Sequence, residues 1–211
     1  GFGGCAAAMT SSHFCSAGRQ YRTPLEYGGQ RTPTAQWTVT GSGAVVLSQD
    51  GEGPWITHAT IGRVVDKGVK DANNMGAAMA PAAYDTLTAH FADTGRRPSD
   101  YDLIVTGDLG SLGLELLQDL FHMDGVEFSN LDDCGVRIYD AQSQDVHCGG
   151  SGCGCSAAVL TGQLLPRMRE GRCRRLLFCG TGALLSPTST MQGESIPGIC
   201  HAVAFSASKG G

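Results

Sequence analysis

From residue 56 onward, apolar positions alternate between two periods, short runs that suit strands and stretches with apolar residues every three or four positions that suit helices. Residues 56–65 predict a strand. Residues 81–91 predict a helix with Pro81 in its first turn and Leu87 and Phe91 on one face, stopped by Gly95. A strand over 102–106 and a helix over 112–123 follow, the helix carrying Leu116, Leu117 and Leu120 on its apolar stripe. Residues 135–139 read as a third strand, 154–169 as a third helix ended at Gly171, and 176–179 and 199–205 as two more strands.

The order is βαβαβαββ, which implies an α/β domain with a mainly parallel sheet under helices and an antiparallel last pair. The third helix opens on Gly152, Gly154, Ser156, Ala157 and Ala158. So small a set suits a helix wedged between layers, so it should be central. Before residue 56 the pattern is less regular. Residues 5–11 form a short apolar run that predicts a buried strand, and 12–34 are polar and turn-rich, predicting a long ordered loop. Residues 36–40 and 43–48 are extended, and Gly41-Ser42-Gly43 between them predicts a bulge or a close backbone approach.

Composition narrows the partners. The 211 residues are 41% hydrophobic and 17% charged, enough for one good-sized core or two small ones. With 15 basic against 20 acidic residues the formal charge is -5, without the basic stripe expected of a phosphate-backbone binder, so no nucleic acid partner is expected. No run approaches the roughly 18 apolar residues of a transmembrane segment, so any membrane association would be peripheral. Nine cysteines, scattered in apolar runs, fit a reducing compartment better than a disulfide framework. Cys148, Cys153 and Cys155 lack paired zinc-ligand spacing, so no metal and no cofactor is expected. The 31 glycines sit between periodic segments, where they permit close packing and let backbone amides face a ligand.

Met75-Gly76 followed by Pro81-Ala82 resembles the M-G-x-x-x-x-P-A pattern of thiolases, and 40–47 is similar to a strand of ketosynthases. Longer words narrow the resemblance: Thr10-Ser11-Ser12-His13, Glu26-Tyr27-Gly28-Gly29-Gln30, and the segments 33–41, 59–66 and 149–156 resemble the stage V sporulation protein AD family of spore-forming bacteria. That resemblance implies a thiolase-like fold, with residues 1–54 as the last two strands of a first half and 55–211 as a complete βαβαβαββ second half. It implies that the family's first part precedes this chain, including the helix with the cysteine at the superfamily's nucleophile position.

Ketosynthases place a histidine where this chain has Gly107 and an asparagine where it has Gly150, so the resemblance implies a protein that is not an enzyme. Thiol-dependent acyl transfer of the thiolase or ketosynthase type is the alternative. The implied function is non-catalytic binding of dipicolinic acid, supporting its uptake into the developing spore and bearing on spore germination. The implied setting is the forespore or spore, peripheral on the inner spore membrane, with integral membrane proteins of the same sporulation operon as partners and a homodimer when complete. The loop 149–154 opens a helix, so Gly150, Ser151 and Cys153 are expected to face a ligand carboxylate. His13, Arg19, Tyr27 and Gln30 are expected to supply hydrogen bonds and stacking from the other side. Asp108 would repel such a dianion and reads equally as a turn residue; His147 reads as structural, and Cys179 as a buried strand cysteine.

Overall fold

The computed structural model describes residues 4–15 and 32–209. Its centre is a five-stranded sheet ordered β4–β9–β8–β5–β6, built from Trp55–Ile61 (β4), Leu103–Thr106 (β5), Leu131–Asp133 (β6), Arg175–Ala183 (β8) and Gly198–Ser206 (β9). β5 runs parallel to β6 and β8, whereas β9 is antiparallel to both β8 and β4. The sheet is therefore half parallel rather than mainly parallel, because β4 joins the chain's last strand instead of a crossover neighbour.

Strand side chains alternate between the two faces. Ile104, Leu177, Cys179, Ala202 and Ala204 point to one side, where they pack with Leu87, Leu117 and Phe121 of helices α1 (Met75–Thr94) and α2 (Gly110–Met123). Val105 and Leu176 point to the other, where they pack with Cys155, Val159, Leu164 and Met168. Those four residues lie on one continuous helical run: α4 (Cys153–Val159), a π-helical turn (Leu160–Leu164) and α5 (Leu165–Arg169), after the short α3 (Cys134–Arg137).

On the far side of α4 lies a separate antiparallel ribbon of β1 (Cys5–Ser12) and β3 (Gly41–Ser48). The expected central helix is thus central, between ribbon and sheet. The glycines of β3 cause no bulge, since the register with β1 is unbroken from Cys5↔Ser48 to Ser12↔Gly41. They allow close approach: a Cβ on Gly43 would fall 2.5 Å from the Ala157 carbonyl oxygen. The predicted buried strand over 5–11 is exposed at every position, with Met9 at 76%, and only Ser12 at its end is half-buried.

Two other boundaries differ from expectation. α1 starts at Met75, not at Pro81, because the Asn74 side chain accepts from the Ala77 amide and caps the helix six residues earlier. Pro81 then sits inside the helix, where the run of buried alanines and Leu87 holds the helix together across the missing amide. The third strand is β6 rather than 135–139, which begins in the helical turn α3 capped by Asp133. At the centre of the first layer His90 is fully buried, its Nδ1 2.8 Å from Thr60 Oγ1 and its Nε2 2.6 Å from Tyr101 Oη. Burial, and then neighbouring positive charge, pushes its pKa down to about 4, so it is neutral and ties α1 to the sheet.

Candidate binding site at the glycine-rich loop

β5 ends at Thr106, and the chain turns through Gly107, Asp108 and Leu109 into α2. The turn is held from below by Asp133, fully buried at the end of β6. Its Oδ2 accepts from Thr106 Oγ1 (2.6 Å) and the Leu109 amide (2.9 Å), and its Oδ1 from the amides of Gly110 (3.0 Å) and Val136 (3.2 Å). Burial raises its pKa and these four donors pull it back, with a net rise. One carboxylate so fixes the ends of two strands and the starts of two helices.

Above it, Asp108 spans the gap between the sheet and the glycine-rich loop. Its Oδ1 accepts from Thr181 Oγ1 on β8 (2.9 Å) and its Oδ2 from the Gly152 amide at the entry to α4 (3.0 Å). The residue keeps some open surface while its carboxyl group lies deep, and that burial drives its pKa up to about 6 against the pull of those two donors, with Asp133 adding repulsion. Gln36 completes the clasp, its Nε2 donating to the carbonyls of Asp108 (2.8 Å) and Gly150 (3.0 Å).

The loop itself is threaded between strands. Gly150–Ser151 (β7) pairs in parallel with Trp37–Thr38 (β2), with Trp37 opposite Gly150 and Thr38 opposite Ser151. Ser12, the last residue of β1, accepts from the Gly154 amide at 2.8 Å and donates to the Val39 carbonyl at 2.6 Å. His13 is therefore carried to the start of α4, where it is exposed; Cys153 is also exposed and Ser151 half-buried. Gly150 is buried, and a Cβ there would lie 2.7 Å from Ile138 Cγ2 and 2.9 Å from Val39 Cγ2. Arg19, Tyr27 and Gln30 lie outside the described residues. Of the seven expected ligand contacts, His13, Gly150, Ser151 and Cys153 come together around one helix start.

Several site residues were not anticipated. The Gly152 and Gly154 amides, expected to await a ligand, are taken by Asp108 and Ser12. Beside them Phe14 stacks on Trp37 with ring centroids 4.5 Å apart and planes 4° from parallel. A flat aromatic surface therefore borders the loop, signalled in sequence only by two isolated rings. His147 is structural as expected, its Nδ1 donating to the Thr32 carbonyl (2.6 Å) and its Nε2 3.1 Å from Asp145. Cys179 is buried in β8 with its thiol held up by a hydrogen bond to Cys200 and by burial, and burial likewise raises Cys155, which faces the Gly107 carbonyl. Gly107 has no room for a side chain: a Cβ would sit 2.8 Å from Thr181 Oγ1. Among the described residues no group of histidine, cysteine or carboxylate side chains is arranged to hold a metal.

Residues 1–206 match the family model described as Stage V sporulation protein AD (SpoVAD). Stage V sporulation protein AD of Bacillus subtilis (strain 168) is 50% identical over 206 residues, an overlap that takes in 97% of this chain but 61% of that protein, so the chain spans about three fifths of its relative's length. The crystal structure of 3-oxoacyl-(acyl carrier protein) synthase III, FabH, from Pseudomonas aeruginosa PAO1 is similar with a TM-score of 0.53 and 16% identity, over 97% of this chain and 58% of that one. At that identity the likeness speaks for the fold, a mixed α/β arrangement of the thiolase type over part of the synthase.

Proposed function

Because the chain belongs to the stage V sporulation protein AD family, a sporulation family with a thiolase-like fold, we propose that it binds dipicolinic acid and performs no acyl transfer. The observation that carries the second part is steric. Gly107 and Gly150 stand where the thiolase resemblance would put a histidine and an asparagine, and neither position has space for any side chain. A ketosynthase-like proton donor or oxyanion-stabilising amide cannot be accommodated there without moving Thr181 or Ile138. Cys155 and Cys179 do not support the reactive-thiol alternative, since they are buried and their thiols are driven upward, away from thiolate; the exposed Cys153 at the start of α4 is the thiol that an acyl-CoA trap would test.

The binding part rests on the family and on the surface that borders the loop. His13, Ser151 and Cys153 supply exposed or half-exposed polar atoms at the entry to α4, next to the stacked Phe14 and Trp37 rings. A planar pyridine ring can lie against such rings while its carboxylates take hydrogen bonds from the loop side chains. Arg19, Tyr27 and Gln30 are proposed to complete the site. Within the spore this activity would support uptake of the ligand at the inner membrane, with the operon's membrane proteins as partners and a dimer of the complete protein as the working form. Among the described residues no helix is long and apolar enough to cross a membrane, which suits a peripheral role.

Isothermal titration of dipicolinate against the protein and its Ser151→Trp variant tests the site, with benzoate as the comparison ligand. Binding of dipicolinate in preference to benzoate, lost on introducing the indole, is expected. Equal affinity for the two ligands, or an unaffected variant, would remove the loop from the site.

A further inference from the structure

The chain is acidic overall, yet its charge is unevenly placed. Five of its 15 basic residues, Arg167, Arg169, Arg172, Arg174 and Arg175, fall in the nine positions 167–175, against the single acid Glu170. The fold puts this stretch at one end of the sheet. Arg175 opens β8 opposite Ser206, the last residue of β9, and Ser206 is opposite Trp55, the first residue of β4. Lys209 reaches the same end, its Nζ 5.0 Å from the centre of the Trp55 ring.

These cations are largely unspent. Arg172 pairs with Glu170, but Arg169, Arg174 and Arg175 are exposed and make no ion pair among the described residues. Nearby Asp102 is occupied by the backbone, its Oδ2 accepting from the amides of Arg174 (2.6 Å) and Arg175 (2.9 Å). The Nε of Arg167 is buried without a hydrogen-bond partner among the described residues. Two shallow clefts of about 410 and 620 Å³ meet at Ala207, one bordered by Arg169 and Pro54 with the acid Glu52, the other by Arg174, Arg175 and Ser208 with the acids Asp100 and Asp102. At the rim Ile56 is 45% exposed beside the half-buried Trp55.

A patch of exposed cations flanked by an indole and an exposed aliphatic side chain is the composition that settles at a lipid–water interface. Its charge reads an anionic surface without fixed geometry, and on an otherwise acidic protein it orients the whole molecule. The cluster is compact rather than drawn out along a groove, which favours a surface over a nucleic acid strand. We propose that the arginine-rich end of the sheet, with Lys209, Trp55 and Ile56, is a docking surface for an anionic phospholipid bilayer. Arg175 and Thr181 are six residues apart on β8, so docking would hold the glycine-rich loop roughly 20 Å from the bilayer, facing away from it. The inference is independent of the dipicolinate reading and supplies a surface for the proposed peripheral location.

Flotation of the chain with phosphatidylglycerol–phosphatidylcholine vesicles, and with phosphatidylcholine alone, tests it. Binding to the anionic vesicles only, abolished near 0.5 M salt, is expected. Each basic residue at such a surface is worth about a factor of five. The R169Q/R172Q/R174Q/R175Q variant should therefore partition at least about 100-fold less, the lysine version of the same four sites should still bind, and K67Q/K70Q, at the opposite end of the sheet, should match the parent. Retained binding by the glutamine variant, equal binding to neutral vesicles, or displacement from vesicles by a short DNA duplex at physiological salt would overturn the proposal. Loss of binding in the lysine variant would also overturn it, since it would point to a bidentate site for a small phosphate.

Discussion

The buried Asp108 carboxyl makes a pH-dependent prediction that Asp108→Asn isolates. In the fold its pKa rises from 3.8 to about 6, chiefly through burial. The native state therefore holds this proton more tightly than the unfolded chain does. Its contribution to stability is complete below about pH 3.8 and is lost as pH climbs toward and through 6. At about 1.4 kcal/mol per tenfold in proton affinity the full move is worth about 3 kcal/mol, and roughly 2 once the partly open surface of the residue is discounted. Asparagine keeps the shape and an acceptor for Gly152 or Thr181 but cannot ionise. The stability difference, variant minus parent, should thus rise by about 1.5–2.5 kcal/mol between pH 4 and pH 7. Taking the difference cancels groups such as Asp66 and Asp140, whose lowered pKa values act in the opposite sense. Relief of the repulsion on Asp133 adds to the expected direction. Urea denaturation at four pH values across this range is the assay, and a difference that stays flat or falls as pH rises refutes the account of a buried, penalised carboxylate.

Two further outcomes follow from packing. With Ellman's reagent Cys5, Cys15 and Cys153 should react rapidly and the other six thiols only on unfolding; rapid titration of Cys155 or Cys179 would contradict the reading of them as buried structural residues. Gly43→Ala should cost about 1–3 kcal/mol, because its Cβ meets the Ala157 carbonyl at 2.5 Å, whereas Gly162→Ala, with open space around it, should change stability by less than about 0.5 kcal/mol. Equal melting of the two variants would mean that the ribbon is not seated closely on α4.

What the sequence conveyed about the fold was what periodicity can carry. Leu176, Leu177 and Cys179 in β8 announce buried faces by spacing alone, and the small residues of α4 announce a tight layer; in α2, of the expected stripe Leu116, Leu117 and Leu120 only Leu117 is buried, with Phe121 one turn on. β6 escaped detection because two of its three residues are aspartates, and Asp133 is buried there only because Thr106, the distant Leu109 and Gly110 amides and the neighbouring Val136 amide satisfy it. The start of α1 was hidden by Pro81, whose usual place in a first turn outweighed the weaker signal of a capping Asn74.

The role of Asp108 and the placing of the charge were only partly legible for a related reason, that their meaning lies in partners far apart in the chain. Asp108 looked like a charge hostile to a dianion; its partners Gly152 and Thr181, 44 and 73 positions away, make it the residue that occupies the helix entry itself. On the proposed reading a carboxylate ligand would meet this loop from the outer side, through His13, Ser151 and Cys153, since the Gly152 and Gly154 amides are filled. The formal charge of -5 likewise averaged away the five arginines of 167–175. Acids and bases counted along the chain cancel, but the fold spends Glu170 on Arg172 and Asp102 on backbone amides, and leaves Arg169, Arg174 and Arg175 facing outward. The two proposed surfaces so lie at opposite ends of the same sheet, and Arg175 and Thr181, six residues apart on β8, link them. A bilayer bound at one end would then leave the glycine-rich loop open to ligand at the other, so dipicolinate affinity should be the same for free and vesicle-bound protein.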